Sequence, residues 1–234
     1  MVKKAVCLIS GGLDSCVVSF IAKDSGYEIY GLSFRYGQRH DKELVCAENI
    51  GKVAGVVDHI FFDLDLGQFG CSSLTDKKII PEVDHDLGEI GKKIPSTYVP
   101  ARNTVFLSLA LAYAETLDAD AIFLGANAID FPGYPDCRPE YLKAYQNMAD
   151  LATKKGVEGN PVEIIAPLLS LSKGDIIKKG MMLDVPFEKT WSCYQGGEKA
   201  CGRCDSCILR LKGFLDAKVE DPILYRFYPD WYKL

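Results

Sequence analysis

Six consecutive residues, Ser10-Gly11-Gly12-Leu13-Asp14-Ser15, carry the densest chemistry in the 234-residue chain. They lie between an apolar run, Ala5 to Ile9, that reads as a short buried strand, and a stretch from Ser15 to Lys23 that reads as a helix with Val17, Val18, Phe20 and Ile21 available to a core. Adjacent glycines at a strand-to-helix turn let backbone N–H groups converge on one concavity, and the positive end of the following helix adds attraction for an anion. Ser10 and Ser15 contribute hydroxyl donors, and Asp14 a carboxylate for a metal or a bound water. A Walker loop needs Lys-Ser or Lys-Thr after its last glycine, and a dinucleotide turn needs a third spaced glycine; neither is present. The stretch therefore reads as a phosphate cradle of another kind.

A second constellation lies near the C-terminus. Cys193, Cys201, Cys204 and Cys207 follow the spacing C-x7-C-x2-C-x2-C. Three thiols within seven residues form a tight knuckle and the fourth closes a tetrahedron, so the set predicts one structural zinc ion with no open position. An iron–sulfur cluster is the rival ligation, but it often adds a following Cys-Pro, whereas Ile208 follows Cys207 and the fourth thiol lies upstream. The chain has nine cysteines, an odd number, and no early apolar run long enough for a signal peptide or a membrane span. Metal binding in a reducing cytoplasm is the expectation, rather than a disulfide framework. Cys7, Cys16 and Cys46 read as small buried hydrophobes.

With 27 Lys and Arg against 32 Asp and Glu, the net charge is −5. That balance argues against broad binding to a phosphate backbone and so against a direct nucleic-acid partner. Nearly half the residues are apolar (48%), enough for a sizeable core.

The elements that must position these residues alternate. Further strands are predicted over Glu28 to Phe34, His59 to Leu64, Ala121 to Gly125 and Val162 to Ile165. A helix is predicted from Lys42 to Ala54, and a second, capped by Asn103 and running to about Leu117, is apolar almost all round and is expected to be buried. Pro139 opens a third, with Tyr141, Leu142, Tyr145, Met148, Ala149 and Ala152 on its face. Ser172 and Asp175 start a fourth through Lys179. Gly67 to Thr97 shows no period and reads as an excursion beside or over the site. The alternation predicts an α/β fold: a parallel-sheet nucleotide-binding domain over residues 1–190, a four-cysteine element over 191–217 and a tail over 218–234. Ligands bind beyond the C-terminal strand ends of such sheets. The first loop, Arg35-Tyr36-Gly37-Gln38, the turn after Gly125 and the stretch Pro167 to Lys173 all fall there.

The Ser-Gly-Gly-x-Asp-Ser loop resembles that of the N-type ATP pyrophosphatases. Three more strings sharpen the likeness: Phe34-Arg35-Tyr36-Gly37-Gln38-Arg39-His40, Thr97-Tyr98-Val99-Pro100-Ala101-Arg102-Asn103, and Asp130-Phe131-Pro132-Gly133-Tyr134-Pro135-Asp136-Cys137-Arg138. With the cysteine cluster, they closely resemble the 7-cyano-7-deazaguanine synthase family, from about Lys4 to Phe214. The resemblance implies an adenine nucleotide alpha-hydrolase-like fold and an ATP-dependent ligase that converts 7-carboxy-7-deazaguanine and ammonia to the nitrile precursor of queuosine or archaeosine. It implies a cytoplasmic homodimer using Mg²⁺ with ATP and one structural zinc per chain.

Under this resemblance Leu8, Ile9, Ser10, Gly11, Gly12, Leu13, Asp14 and Ser15 hold ATP, and Asp14, Lys173 and Arg102 act in catalysis. Lys173 neutralises phosphate charge, and Arg102 pairs with phosphate or carboxylate in a forked geometry. Asp130 and Asp136 accept from the guanine-like edge of the base, Arg138 meets the substrate carboxylate, and Tyr134 stacks on the ring. Asp14→Ala is expected to abolish turnover and leave the fold intact. The alternative within the same superfamily is a tRNA-thiolating enzyme, disfavoured by the acidic charge and the lack of a separate RNA-binding domain. A zinc-stapled binding module without catalysis is disfavoured by the intact phosphate loop.

Overall fold

The computed structural model describes residues 2–233 except 77, 82, 84–86, 89, 91 and 128–133. In chain order the elements are β1 (Lys4–Leu8), α1 (Leu13–Asp24), β2 (Glu28–Arg35), α2 (Lys42–Ala54), β3 (Asp58–Asp63), α3 (Arg102–Thr116), β4 (Ala121–Phe123), α4 (Pro139–Ala152), the single turn α5 (Lys154–Val157), β5 (Glu163–Ile165), α6 (Lys173–Met182) and α7 (Asp205–Ala217). All strand pairs are parallel, in the order β3-β2-β1-β4-β5.

β1 is central and buried on both faces: Ala5, Val6 and Cys7 are all fully enclosed. That explains its unbroken apolar run. Alternation along the strand then feeds two cores. Ala5 and Cys7 join Val17, Ile50, Ile176 and Phe214, so α1, α2, α6 and α7 cover one face. Val6 joins Leu107, Leu111, Leu142 and Tyr145, so α3 and α4 cover the other. Cys7 and Cys16 are core residues, and burial pushes the Cys7 thiol above its usual range.

Two helices differ from expectation. α3 is not capped by Asn103. It opens at Arg102 behind Ala101, which is left-handed at φ 53°, and the Asp136 Oδ2 accepts the Asn103 N–H at 2.9 Å. Nor is α3 buried all round: Leu107, Ala110, Leu111 and Ala114 are buried, whereas Ser108 and Ala112 are exposed. Small residues give a helix an apolar average without obliging burial. On α4 the buried stripe is Leu142, Tyr145 and Ala149, and Met148 and Ala152 stand exposed on its flank.

The described part of the excursion is tied to the site. The Arg39 Nη1 donates to the carbonyls of Ser73 (3.0 Å), Asp76 (3.3 Å) and Ile79 (2.9 Å). Ser72 and Ser73 are fully buried. No helix of the described residues is long and apolar enough to cross a membrane.

Candidate active site

β1 and β4 are neighbours whose chains continue to opposite sides of the sheet, and a crevice opens beyond their C-terminal ends at that switch point. It is a cavity of about 290 Å³. Leu8, Ile9, Ser10, Gly12, Leu13, Asp14 and Ser15 line it, together with Arg102, Tyr134 and Lys173.

The loop is braced from within. Ser15 Oγ accepts the Ser10 N–H at 3.2 Å, lies 3.0 Å from Ser10 Oγ, and donates to the Gly12 carbonyl at 3.1 Å. Gly12 offers no side-chain cap to α1, which leaves first-turn N–H groups for an anion. Gly11 turns away from the cavity toward α2, and its carbonyl accepts the Trp191 N–H at 2.9 Å.

Lys173 begins α6, where Ser172 Oγ caps the helix by accepting the Asp175 N–H at 3.2 Å. Its Nζ lies 2.8 Å from both carboxylate oxygens of Asp14. The side chains are 9% and 20% exposed. The sequence motifs give the two residues separate partners; the fold joins them across 159 residues. The ion pair changes what trimming Asp14 should do. Asp14→Ala removes a two-oxygen partner from a largely buried ammonium, so it should cost about 3 kcal/mol, the lower end of the range for breaking a buried pair. Asp14→Asn keeps the shape and one acceptor and should lose less stability. Urea unfolding of both variants checks the order; equal midpoints for Asp14→Ala and wild type would dissolve the argument.

Arg102, at the start of α3, lies 5.6 Å from the centre of the Tyr36 ring and 5.9 Å from that of Phe106. Its Nη1 donates to Tyr36 Oη at 3.4 Å. Burial opposes its charge, but Tyr36, Tyr134, Asp136 and Cys137 together hold its pKa above the usual arginine range. Opposite stands Glu43, in the first turn of α2, which also lines the cavity. Burial pushes its carboxyl up to about 7, against the pull of Arg102, with a smaller rise from Cys193. In the sequence Glu43 is inconspicuous, because an acidic residue in a first helical turn is ordinary dipole chemistry.

The residues expected to meet the base are placed differently from one another. Tyr134 is on the wall, its hydroxyl 2.8 Å from Thr97 Oγ1 and its ring edge-on to Tyr98 at 5.9 Å. Asp136 is buried beside the wall, engaged with α3 as described, and its Oδ1 has no hydrogen-bond partner among the described residues. Arg138 is exposed, and its Nε donates to the Pro135 carbonyl at 3.3 Å. Asp130 lies outside the described residues. Cys137 receives the Asn103 amide at 3.1 Å, and burial pushes its thiol up to about 11, which disfavours a nucleophilic thiolate.

The four C-terminal cysteines converge, their sulfurs all within 4.8 Å of one another. Cys201 and Cys207 sulfurs are 3.8 Å apart, close to the edge of about 3.8 Å that a tetrahedron with Zn–S near 2.3 Å requires. Backbone N–H groups of Gln195 and Cys201 point at the Cys193 sulfur, and those of Arg203 and Cys204 at the Cys201 sulfur. Such donors stabilise thiolates. The set can hold a metal ion such as zinc. It also supports the cavity: α7 contributes Ser206, Leu209 and Arg210 to the wall, and the Arg210 guanidinium, held by Asp221 at 2.7 and 2.9 Å, donates to Thr190 Oγ1 at 2.7 Å.

The family described as "Queuosine biosynthesis protein QueC" matches residues 4–218. The chain belongs to the QueC family. A 7-cyano-7-deazaguanine synthase from Thermosynechococcus vestitus is 54% identical over 227 residues, covering 97% of both chains. Another from Thermoplasma acidophilum is 54% identical over 231 residues, covering 99% of this chain and 95% of its own. Among solved structures, the NMN synthetase of Francisella tularensis aligns over 94% of this chain and 79% of its own, with a TM-score of 0.49 at 15% identity. The QueC match ends one residue after α7. Beyond it, Ile223 and Tyr225 of the tail pack into the cysteine core, and Tyr225 Oη donates to Asp221 at 2.6 Å.

Proposed function

We propose that this chain is an ATP-dependent ligase that converts 7-carboxy-7-deazaguanine and ammonia into 7-cyano-7-deazaguanine, a queuosine or archaeosine precursor. The observation that carries it is identity of 54% over 97% of both chains with a relative named for that product. The cavity supplies the parts such a reaction needs.

A carboxylate is a poor electrophile. Its oxygen attacks the α-phosphorus of ATP, pyrophosphate leaves, and the oxygen becomes a leaving group. Ammonia then displaces AMP to give the amide. The amide oxygen attacks a second ATP in the same way, and loss of AMP and two N–H protons leaves the nitrile. The first-turn N–H groups of α1, the Ser10 and Ser15 hydroxyls and Lys173 hold the phosphates and stabilise departing pyrophosphate. Arg102 meets the α-phosphate or the substrate carboxylate. Asp14 would hold the Mg²⁺ that accompanies ATP, and Lys173 would then exchange Asp14 for phosphate on nucleotide binding. Tyr134 faces the base, Asp130 and Asp136 accept from its guanine-like edge, and Arg138 meets the substrate carboxylate.

Zinc would be held by Cys193, Cys201, Cys204 and Cys207 and would supply no chemistry to substrate. Four thiolates leave no open position, so it acts as a staple. The working assembly is a homodimer, as the family resemblance implies, and no nucleic acid is bound directly. Incubating the protein with 7-carboxy-7-deazaguanine, ATP, Mg²⁺ and ammonium should yield the amide and then the nitrile by mass spectrometry. Pyrophosphate exchange into ATP should depend on the carboxylate base; exchange without it, or no nitrile, would overturn the reading.

A further inference from the structure

Ammonia at neutral pH is mostly ammonium, which has no lone pair to attack with. A ligase using it needs a group that attracts the cation and takes its proton. We propose that Glu43 is the catalytic base that deprotonates ammonium at the acyl-adenylate, an inference that rests on the ligase reading above.

Among the described residues, two carboxylates line the cavity, Asp14 and Glu43. Asp14 is bound through both oxygens to Lys173. The Glu43 carboxylate makes no hydrogen bond or ion pair with any described residue, so its oxygens remain available to a ligand. Its backbone is fixed against the phosphate loop: a Cβ on Gly11 would fall 2.0 Å from the Glu43 carbonyl oxygen. The backbone that carries the carboxylate is thus packed on the loop, and the side chain lines the same cavity as Ser10, Asp14 and Ser15. The other basic atom on this side, His40 Nδ1, is buried without a partner, and His40 Nε2 donates to the Cys193 carbonyl at 3.0 Å.

The groups facing Glu43 are Arg102 from α3, Tyr36 from just beyond β2 and Cys193 from the cysteine element. A carboxylate on the cavity wall that no cation holds is the group placed to attract ammonium and take its proton. In the step, one proton passes from ammonium to a Glu43 oxygen. The freed nitrogen lone pair forms the C–N bond. The C–O bond to AMP breaks, its electrons leaving on the AMP phosphate, and the second surplus proton goes to water.

Hydroxylamine separates this role from adenylation and from folding, because it is already neutral at neutral pH and traps the adenylate as a hydroxamate. Glu43→Gln should lower amide formation from ammonium at least about a hundredfold, the low end of what positioned proton transfer contributes. Carboxylate-dependent pyrophosphate exchange and hydroxamate formation should stay within a few-fold of wild type, and Glu43→Asp should recover part of the amide rate. Near-wild-type amide formation by Glu43→Gln would overturn the proposal. So would an equal fall in exchange and hydroxamate, which would place Glu43 in nucleotide binding or the fold. Failure of wild type itself to exchange would instead count against the ligase reading.

Discussion

Replacing Cys204 with alanine will empty the four-thiol site and weaken nucleotide binding together with the fold. Cys204 is fully buried in a small core shared with Trp191, Leu211, Ile223 and Tyr225. Structural zinc sites contribute about 10–16 kcal/mol of apparent binding energy. Losing even a fraction of that is large against a total stability of about 5–15 kcal/mol for a domain. A staple acting only on its own segment would confine the loss to the C-terminal residues and leave substrate affinity intact. The contacts argue for further spread. The Cys193 carbonyl accepts from Trp191 Nε1 and His40 Nε2, both at 3.0 Å, and the Trp191 N–H holds the Gly11 carbonyl. A collapsed site frees the segment around Trp191 that braces the loop between β1 and α1. Zinc content, thermal melting and ATP affinity should therefore fall together. Trp191, 3% exposed, should shift its fluorescence to the red on chelation of the wild type. A zinc-free Cys204→Ala protein with the wild-type melting curve would refute the staple, and one with lower stability but unchanged ATP affinity would refute the coupling.

Features written in local sequence were legible before any coordinates. The glycine turn between β1 and α1, the cysteine quartet and the five parallel strands all depend on short-range spacing and period, and helix α2 falls at the expected Lys42–Ala54. What escaped was tertiary. Asp14 and Lys173 each look like a ligand-facing group alone; only the approach of α6 to α1 shows that they neutralise one another. Asn103 has the right chemistry for a cap, but Asp136, 33 residues on, supplies the acceptor to its N–H. Glu43 is unremarkable as text, and becomes chemical because burial beside Arg102 changes its proton affinity. Average hydrophobicity misjudged α3 for a related reason: alanine and serine fit a buried or an open face equally well, so the pattern under-determined which side was covered.

Gly11→Ala will disable the site even though Gly11 does not line the cavity. Its φ of +86° is in the left-handed region, where a Cβ costs about 1–2 kcal/mol. The larger cost is contact. An alanine Cβ would sit 2.0 Å from the Glu43 carbonyl oxygen and 2.9 Å from the Ala47 nitrogen, both backbone atoms inside α2 that cannot swing aside. Either α2 moves off the sheet or the loop loses its turn, and overpacking of that kind adds about 1–3 kcal/mol. Either movement also displaces Glu43 and stretches the Trp191–Gly11 hydrogen bond, so ATP binding should be lost beyond what the lower stability explains. Gly26→Ala is the matching control. Gly26 has a similar φ of +81°, but a Cβ there meets nothing within 4 Å. It should lose only the left-handed penalty of about 1–2 kcal/mol and bind ATP as wild type does. Denaturant unfolding paired with calorimetric ATP titration reads both quantities. If the two alanine variants lose equal stability and both keep ATP affinity, the close packing of α2 on the phosphate loop is not what holds the cradle in shape.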